Sequence, residues 1–216
     1  PEQASNWDWI AETITAAVNS AGSSDRKISV LNLFGYTGGA TLAAASAGAE
    51  VCHVDASKVS IARAKKNAEL SGLVDAPIRF ILDDALAFVK REARRGKKYD
   101  AIIMDPPAFG RGPDGEVWKI EKDLPKLIEA CREVLAEQPL FILLNGYAAG
   151  YSPIAYANSL DALLSSASSS TYAPPKIKLQ TECGELTIRE SGHNSTQASS
   201  GGRLLPAGIF ARARQV

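Results

Sequence analysis

Residues 28–57 read ISVLNLFGYTGGATLAAASAGAEVCHVDAS, and this stretch decides the fold. It predicts an apolar strand over 28–34, a helix of small residues over 38–47 and a second apolar strand over 49–55. The glycines between the first strand and the helix allow a tight turn. A strand, a short helix and a second strand in this order are typical of a parallel sheet with helices on its faces.

The same alternation continues to residue 165. We predict further strands at 77–83, 99–105 and 139–145, and helices at 57–71, 84–95, 121–137 and 153–165. Two late strand-like segments, 184–190 and 207–215, have no helix between them and indicate an antiparallel pair. The sequence therefore predicts an α/β fold: a doubly wound, Rossmann-like, mostly parallel seven-stranded sheet with a C-terminal antiparallel strand pair, preceded by a helix over 5–21.

The bulk composition narrows the class of protein. The chain has 216 residues, 45% of them hydrophobic, and a formal net charge of zero. No apolar run approaches the roughly 18 residues of a membrane span, so we expect no membrane association. The three cysteines stand far apart, and His53 and His193 form no metal pair. We expect reduced thiols, no metal site and a cytoplasmic location; the sequence leaves the oligomeric state open.

Acidic residues end three of the predicted parallel strands, at the edge where open α/β sheets bind ligands. Asp55 ends the second strand, and an acid there can accept hydrogen bonds from both hydroxyls of a ribose. Asp83 and Asp84 end the third strand, where an acid can accept from the exocyclic amine of an adenine, and we favour Asp84. The alternative for each acid is to cap the helix that follows.

The fourth strand ends in DPPAF, residues 105–109. Pro106 and Pro107 each fix φ and lack an N–H, so the strand cannot continue through them as a paired ladder. The Asp105 carboxylate and the neighbouring backbone carbonyls are therefore left to accept hydrogen bonds from a molecule in the crevice.

Together, LNLFGYTGG, Asp55, the DDA at 83–85 and DPPAF resemble the motifs of class I S-adenosylmethionine-dependent methyltransferases, over about residues 26–215. Within that class the chain looks most like the bacterial ribosomal RNA methyltransferases that carry FxYTGG and DPPxF. The resemblance implies S-adenosyl-L-methionine as cofactor and a base of ribosomal RNA as substrate. It also implies a methyltransferase domain over 26–216 behind an N-terminal helical extension over 1–25.

The resemblance assigns roles to individual residues. For cofactor binding it implies Phe34, Gly35, Tyr36, Thr37, Gly38, Gly39, Asp55, Ala56, Ser57, Asp83, Asp84 and Ala85. For catalysis it implies Asp105, Pro106, Pro107 and Phe109. Asp105 and the Pro106 carbonyl would hold the N–H groups of the target, and Phe109 would stack on an unpaired or flipped base. An N-terminal PEQxxxWxW segment recurs in one subfamily and implies a cofactor role for Gln3 or Trp7, against simple helix packing.

Several features have two interpretations. Trp118 suits either base stacking or core packing. The basic cluster KREARRGKK, residues 90–98, could contact phosphates or could complement the end of a helix. No cysteine belongs to a recognisable nucleophile motif, so a nitrogen is at least as good a target as a pyrimidine C5.

Other functions compete with methylation of RNA. The target could be a small molecule or a protein, or the chain could bind S-adenosylmethionine or RNA without catalysis. A nicotinamide dehydrogenase is disfavoured, because Pro174 and Pro175 interrupt the YxxxK spacing of Tyr172 and Lys176. The polar segment 191–206 is either a loose hairpin loop or a flap on the substrate side.

Overall fold

The computed structural model describes residues 2–20, 27–112, 115–147, 150–165, 178–189 and 203–215. Residues 191–202 of the predicted flap, and the Tyr172–Lys176 pair, lie outside this range. The helices and strands are α1 (Ala4–Ser20), β1 (Ser29–Leu33), α2 (Gly39–Ser46), β2 (Glu50–Asp55), α3 (Lys58–Leu70), β3 (Ile78–Leu82), α4 (Ala85–Arg94), β4 (Ala101–Met104), β5 (Phe109–Arg111), β6 (Val117–Lys119), α5 (Ile120–Val134), β7 (Phe141–Gly146), α6 (Pro153–Leu164), β8 (Leu179–Arg189) and β9 (Leu204–Gln215).

Seven of these strands form one sheet in the order β3-β2-β1-β4-β7-β9-β8. The first five are parallel, whereas β9 runs antiparallel to β7 and β8 antiparallel to β9. The predicted fold class is confirmed, including the C-terminal pair. From β1 the chain runs outward to β2 and β3 and then returns to the other side of β1. Folds of this kind bind ligands at the carboxyl ends of the strands at that reversal.

The sheet separates two layers of core, because successive residues of a strand point to opposite faces. On one face Val30, Ile103 and Leu143 pack with α1 and α2. On the other face Leu31 and Met104 pack with α4, α5 and α6. The central strands are therefore buried on both sides, which explains their continuous apolar sequences.

The N-terminal helix belongs to this core. Ile10 and Ile14 are fully buried, and the Trp9 ring meets the edge of Phe141 with 5.1 Å between ring centroids. The predicted extension thus shares a hydrophobic core with the rest of the chain; its boundary at residue 25 stays a prediction. No helix within the described residues is long and apolar enough to cross a membrane.

Two elements depart from the sequence-based prediction. The segment after DPP forms a hairpin of β5 and β6, which the sequence did not indicate. The C-terminal strand pair is longer than predicted, because β8 and β9 pair as far as Arg189 and Leu204. The neighbouring strand β7 ends earlier, at Gly146, which pairs with Ile209 of β9. A two-stranded ribbon therefore projects beyond the carboxyl edge of the parallel strands.

Candidate active site

The carboxyl ends of the parallel strands border two adjoining cavities of about 510 Å³ and 390 Å³. The larger lies over β2, β3 and β4, and the smaller lies over β1 between the glycine turn and residues 2–7. Four residues line both, namely Phe34, Tyr36, Asp105 and Tyr147. Each volume is within the range of small-molecule sites, about 300–1,000 Å³. We call the two cavities together the crevice.

The turn after β1 has an unusual backbone. Phe34 and Tyr36 have φ angles of 57° and 47°, a region that side chains other than glycine rarely adopt. Two hydrogen bonds help to fix the turn, from Gly38 N–H to the Gly35 carbonyl at 2.9 Å and from the Asn67 amide to the Thr37 carbonyl at 2.8 Å. Backbone strain that is held in place like this is typical of ligand-binding loops.

Glycine is required at two places in the turn because other side chains approach the backbone closely. A Cβ on Gly35 would lie 2.4 Å from the His53 ring, and one on Gly39 would lie 2.4 Å from the Trp7 ring. His53 is fully buried and bonds Thr41 at 2.8 Å, which also accepts from Asn32 at 2.8 Å. Burial lowers the pKa of His53 to about 4, so the ring is neutral, and it supports the turn by packing beneath it.

Asp55 holds the turn from the next strand. Its two oxygens accept from the backbone N–H of Tyr36 and of Ser57, each at 2.8 Å. The cap of α3 is the Ser57 hydroxyl, which accepts from Ser60 N–H at 3.2 Å. Helix capping therefore does not account for Asp55, and each of its oxygens retains a lone pair for a further donor.

The two acids after β3 differ in how they are used. Asp83 accepts from Asp84 N–H with one oxygen and pairs with Arg91 through the other. Asp84 caps α4 through Oδ1, which accepts from Ala87 N–H at 2.8 Å. No described residue bonds its Oδ2, so Asp84 remains the better candidate to accept from an adenine amine.

Among the acids that line the crevice, Asp105 has the pKa that is shifted most from its ordinary value. Gln3 donates to its Oδ2 at 3.0 Å, whereas Oδ1 is buried with no partner among the described residues. Burial raises the pKa of Asp105 to about 7; the charge of Glu2 also raises it, and the hydrogen bond from Gln3 opposes both. Such a group can exchange a proton near neutral pH.

The backbone after Asp105 offers one acceptor. The indole of Trp118 donates to the Pro107 carbonyl at 2.7 Å and packs against Phe34. Trp118 is 7% exposed and thus fixes the DPP turn as part of the core. No described residue donates to the Pro106 carbonyl, which lies beside Asp105 and stays available.

Two sequence features that were candidates for contact with the substrate, Phe109 and the basic cluster of residues 90–98, do not line the crevice. Phe109 is 56% exposed on β5 and lines neither cavity, so the structure does not place it to stack on a base in the crevice. The basic cluster occupies the C-terminal end of α4, at the opposite edge of the sheet, where Arg95 pairs with Glu92 and Lys98 donates to the Glu133 carbonyl. Apart from Arg91, which pairs with the crevice acid Asp83, that cluster completes a helix end and does not border the crevice.

The sequence reasoning missed Asn145, near the end of β7, and Tyr147, directly after it, which both line the crevice. Polar residues at the carboxyl end of a predicted strand are the signal that identified the other acids, and LLNGY carries it too. No group of three His, Cys, Asp or Glu residues in the described ranges could hold a metal ion.

Known proteins resemble this chain in both sequence and structure. Residues 18–150 match the family model of S-adenosylmethionine-dependent methyltransferases. Ribosomal RNA large subunit methyltransferase I of Aeromonas salmonicida (strain A449) is 42% identical over 81 residues, 37% of this chain and 20% of that protein. Ribosomal RNA large subunit methyltransferase K of Neisseria meningitidis serogroup B is 32% identical over 117 residues, 53% of this chain and 33% of that protein.

A solved structure covers nearly the whole chain. The SAM-dependent methyltransferase from Agrobacterium tumefaciens superposes with a TM-score of 0.84 at 41% identity, over 99% of this chain and 62% of that one. The SMU.776 protein in complex with SAH superposes with a TM-score of 0.64 at 26% identity, over 98% of this chain and 49% of that one. The chain thus spans only part of each of these proteins.

The residues of the crevice fit S-adenosylmethionine. Asp55 has lone pairs for ribose hydroxyls, Asp84 has an oxygen that no described residue bonds and that can accept from the adenine amine, and both acids line the larger cavity. The acids that border the crevice would stabilise the positive charge of the sulfonium.

Proposed function

The chain belongs to the S-adenosylmethionine-dependent methyltransferases, and from that membership we propose that it transfers a methyl group to a nitrogen of an RNA base. The observation that carries the proposal is the pairing of Asp105 with the Pro106 carbonyl. The buried Oδ1 of Asp105 and the Pro106 carbonyl oxygen are acceptors without a donor among the described residues, and they lie beside the glycine turn and Asp55.

The chemistry divides between cofactor and protein. When bound, the cofactor supplies a methyl group on a positively charged sulfur, open to in-line displacement by a lone pair. Asp105 and the Pro106 carbonyl accept hydrogen bonds from the N–H groups of the target and so orient its lone pair. Asp105 takes the proton that the nitrogen loses after it gains the methyl group, because its pKa of about 7 suits that exchange.

Nitrogen is favoured as the target by the positions of the cysteines. Methylation at a pyrimidine C5 ordinarily needs a cysteine that adds to the ring. Cys52 and Cys131 are buried in the core, where burial raises their pKa values to about 11 and about 12, and Cys183 lies within β8. None of them lines the crevice.

RNA is supported by the curated relatives, which are ribosomal RNA methyltransferases, and by two aromatic residues at the mouth of the crevice. Tyr36 and Tyr147 line both cavities and are 67% and 46% exposed. Flat exposed rings of this kind can stack on an unpaired base.

The charge of the crevice favours a second candidate, a small neutral or cationic amine. Four acids line the larger cavity against one cation, Arg111, and the basic cluster of residues 90–98, apart from Arg91 on Asp83, lies at the far edge of the sheet. A phosphate backbone would gain little from those cations at that distance.

A methyl-transfer assay distinguishes the candidates. The chain is incubated with S-adenosylmethionine labelled in the methyl group and with ribosomal RNA from a strain that lacks this gene or, in a parallel reaction, with the small-molecule fraction of that strain. We expect label in RNA, in a nucleoside methylated on a base nitrogen, and no label with the Asp105→Asn variant. Label in a small-amine fraction alone would establish the second candidate, and label on C5 of a pyrimidine would refute the nitrogen assignment.

A further inference from the structure

A chain of side-chain hydrogen bonds runs from strand β9 to Asp105 in the crevice. Arg212 donates to Asn6 Oδ1 at 3.2 Å, and Asn6 Nδ2 donates to Asn145 Oδ1 at 2.9 Å. Asn145 Nδ2 then donates to Gln3 Oε1 at 3.1 Å, and Gln3 Nε2 donates to Asp105 Oδ2 at 3.0 Å. We call Arg212, Asn6, Asn145 and Gln3 the amide relay.

The orientation of every amide in the relay is fixed from its outer end. A guanidinium can only donate, so it must face the oxygen of Asn6. The amide nitrogen of Asn6 then faces the oxygen of Asn145, and the same logic turns a nitrogen of Gln3 toward Asp105. Reversing one amide would set two donors or two acceptors against each other, which is costly in a buried network.

Burial and packing keep the relay from rearranging. Gln3, Asn6 and Asn145 are 7%, 0% and 2% exposed. Arg212 is held between the rings of Trp9 and Phe210, at 4.6 Å and 4.8 Å from their centroids, and it also pairs with Glu182 at 2.6 Å. The second proton on Gln3 Nε2 goes to the Tyr147 hydroxyl at 2.7 Å, so both protons of that amide are used.

The relay distinguishes the two oxygens of Asp105. Because Gln3 presents a donor to Oδ2, a proton on the carboxyl group must sit on Oδ1, the oxygen with no partner. The titratable groups around Asp105 are Glu2, Tyr147 and Tyr156, and none of them donates to Oδ1 among the described contacts.

We propose that Gln3 is a positioning residue for Asp105, and that the amide relay makes Oδ1 the oxygen that meets the target and carries its proton. This proposal rests on the proposed function for its catalytic meaning, although the hydrogen bond itself can be tested in the protein without substrate. It gives Gln3 a part in the chemistry that differs from a direct contact with the cofactor.

The test is the titration of Asp105 in the protein alone. Aspartate carboxyl carbons are labelled with ¹³C, the Asp105 signal is identified by its loss in Asp105→Asn, and its midpoint is measured in wild type and in Gln3→Met. Methionine has nearly the shape of glutamine but donates no hydrogen bond. We expect the midpoint to rise by about one pH unit, since the ionised form loses a donor. Asn145→Leu, which releases the Gln3 amide, should raise it in the same direction.

The matched control is Gln180→Met on β8, an exposed glutamine away from the crevice, which should leave the midpoint unchanged. Binding of S-adenosylhomocysteine should be kept in Gln3→Met, and kcat should fall about tenfold with its pH profile displaced upward while KM changes little. An unchanged Asp105 midpoint in folded Gln3→Met and Asn145→Leu would overturn the relay, whatever the substrate proves to be. A shifted midpoint in a protein that methylates nothing would support the relay and reject the proposed function.

Discussion

Asp105 is a carboxylate for which the fold provides one donor and leaves one oxygen open. Burial is what moves its pKa furthest from the usual range. At the residue scale this is the clearest sign that the position serves something other than stability, because an apolar or fully paired side chain would be cheaper to bury.

Asp105→Asn should therefore stabilise the fold, and more so at high pH. The folded pKa is about 7 and the ordinary value is 3.8. The native state thus holds the proton more tightly than the unfolded chain, and the wild type loses stability as pH rises from about 4 to about 7. Asparagine carries no charge, so we expect its advantage to be small at pH 4.5 and to reach up to about 4 kcal/mol above pH 8, at about 1.4 kcal/mol per unit of pKa shift.

Urea unfolding of the two proteins at pH 4.5 and pH 8 measures this difference. An advantage of the same size at both pH values would mean that Asp105 titrates normally in the folded protein. It would also remove the basis for its part in proton exchange.

At the scale of the element, the glycine turn depends on contacts between β1, β2 and α1. A Cβ on Gly35 would overlap the His53 ring, which is buried and cannot swing away. We expect Gly35→Ala to displace the turn, to destabilise the protein by about 1–3 kcal/mol, and to weaken binding of S-adenosylhomocysteine at least tenfold.

Gly48→Ala is the control for that variant. Gly48 has open space around its Cβ position but a φ of +96°, so alanine strains the backbone at the end of α2 without touching the turn. Thermal unfolding and calorimetric binding should show lost stability with normal affinity for Gly48→Ala. Equal affinity in the two variants would argue that the turn does not hold the cofactor.

The elements also show where sequence reasoning succeeds. The parallel strands and their helices were predicted because apolar runs, glycines and acids mark them locally. The hairpin of β5 and β6 was missed because its strands have three residues each, and Trp118 holds it through a bond to Pro107 and a contact with Phe34. Such tertiary contacts leave no periodic pattern.

At the scale of the whole molecule, residues near the two ends of the described chain meet beside the crevice, where Arg212 donates to Asn6. Gln3 and Asp105 are separated by 102 positions, and Asn6 and Arg212 by 206. The rule that ligands bind at strand ends located Asp55, Asp84 and Asp105 in the sequence. No spacing could reveal that Gln3 touches Asp105, because that contact depends on how α1 lies across the sheet.

The placement of charge is likewise a property of the whole fold. Residues 90–98 form the most basic stretch of the sequence, yet α4 runs antiparallel to the strands and carries all of this stretch except Arg91 away from the crevice, toward the opposite edge of the sheet. Electrostatic attraction of RNA to this chain alone should be weak for that reason.

The region that matches the curated relatives covers 33% of one of them and 20% of the other. These relatives are therefore three to five times longer than the matching region.

The central claim is that two acids of one crevice have different roles: Asp55 binds the cofactor, and Asp105 takes part in the methyl transfer. The measurement that tests it most directly is calorimetric titration of S-adenosylhomocysteine into wild type, Asp55→Ala and Asp105→Asn. We expect Asp55→Ala to lose about 100-fold in affinity or more, through two lost charge-assisted hydrogen bonds and a loosened turn, and Asp105→Asn to bind like wild type. Wild-type affinity in Asp55→Ala, or an equal loss in both variants, would contradict the account.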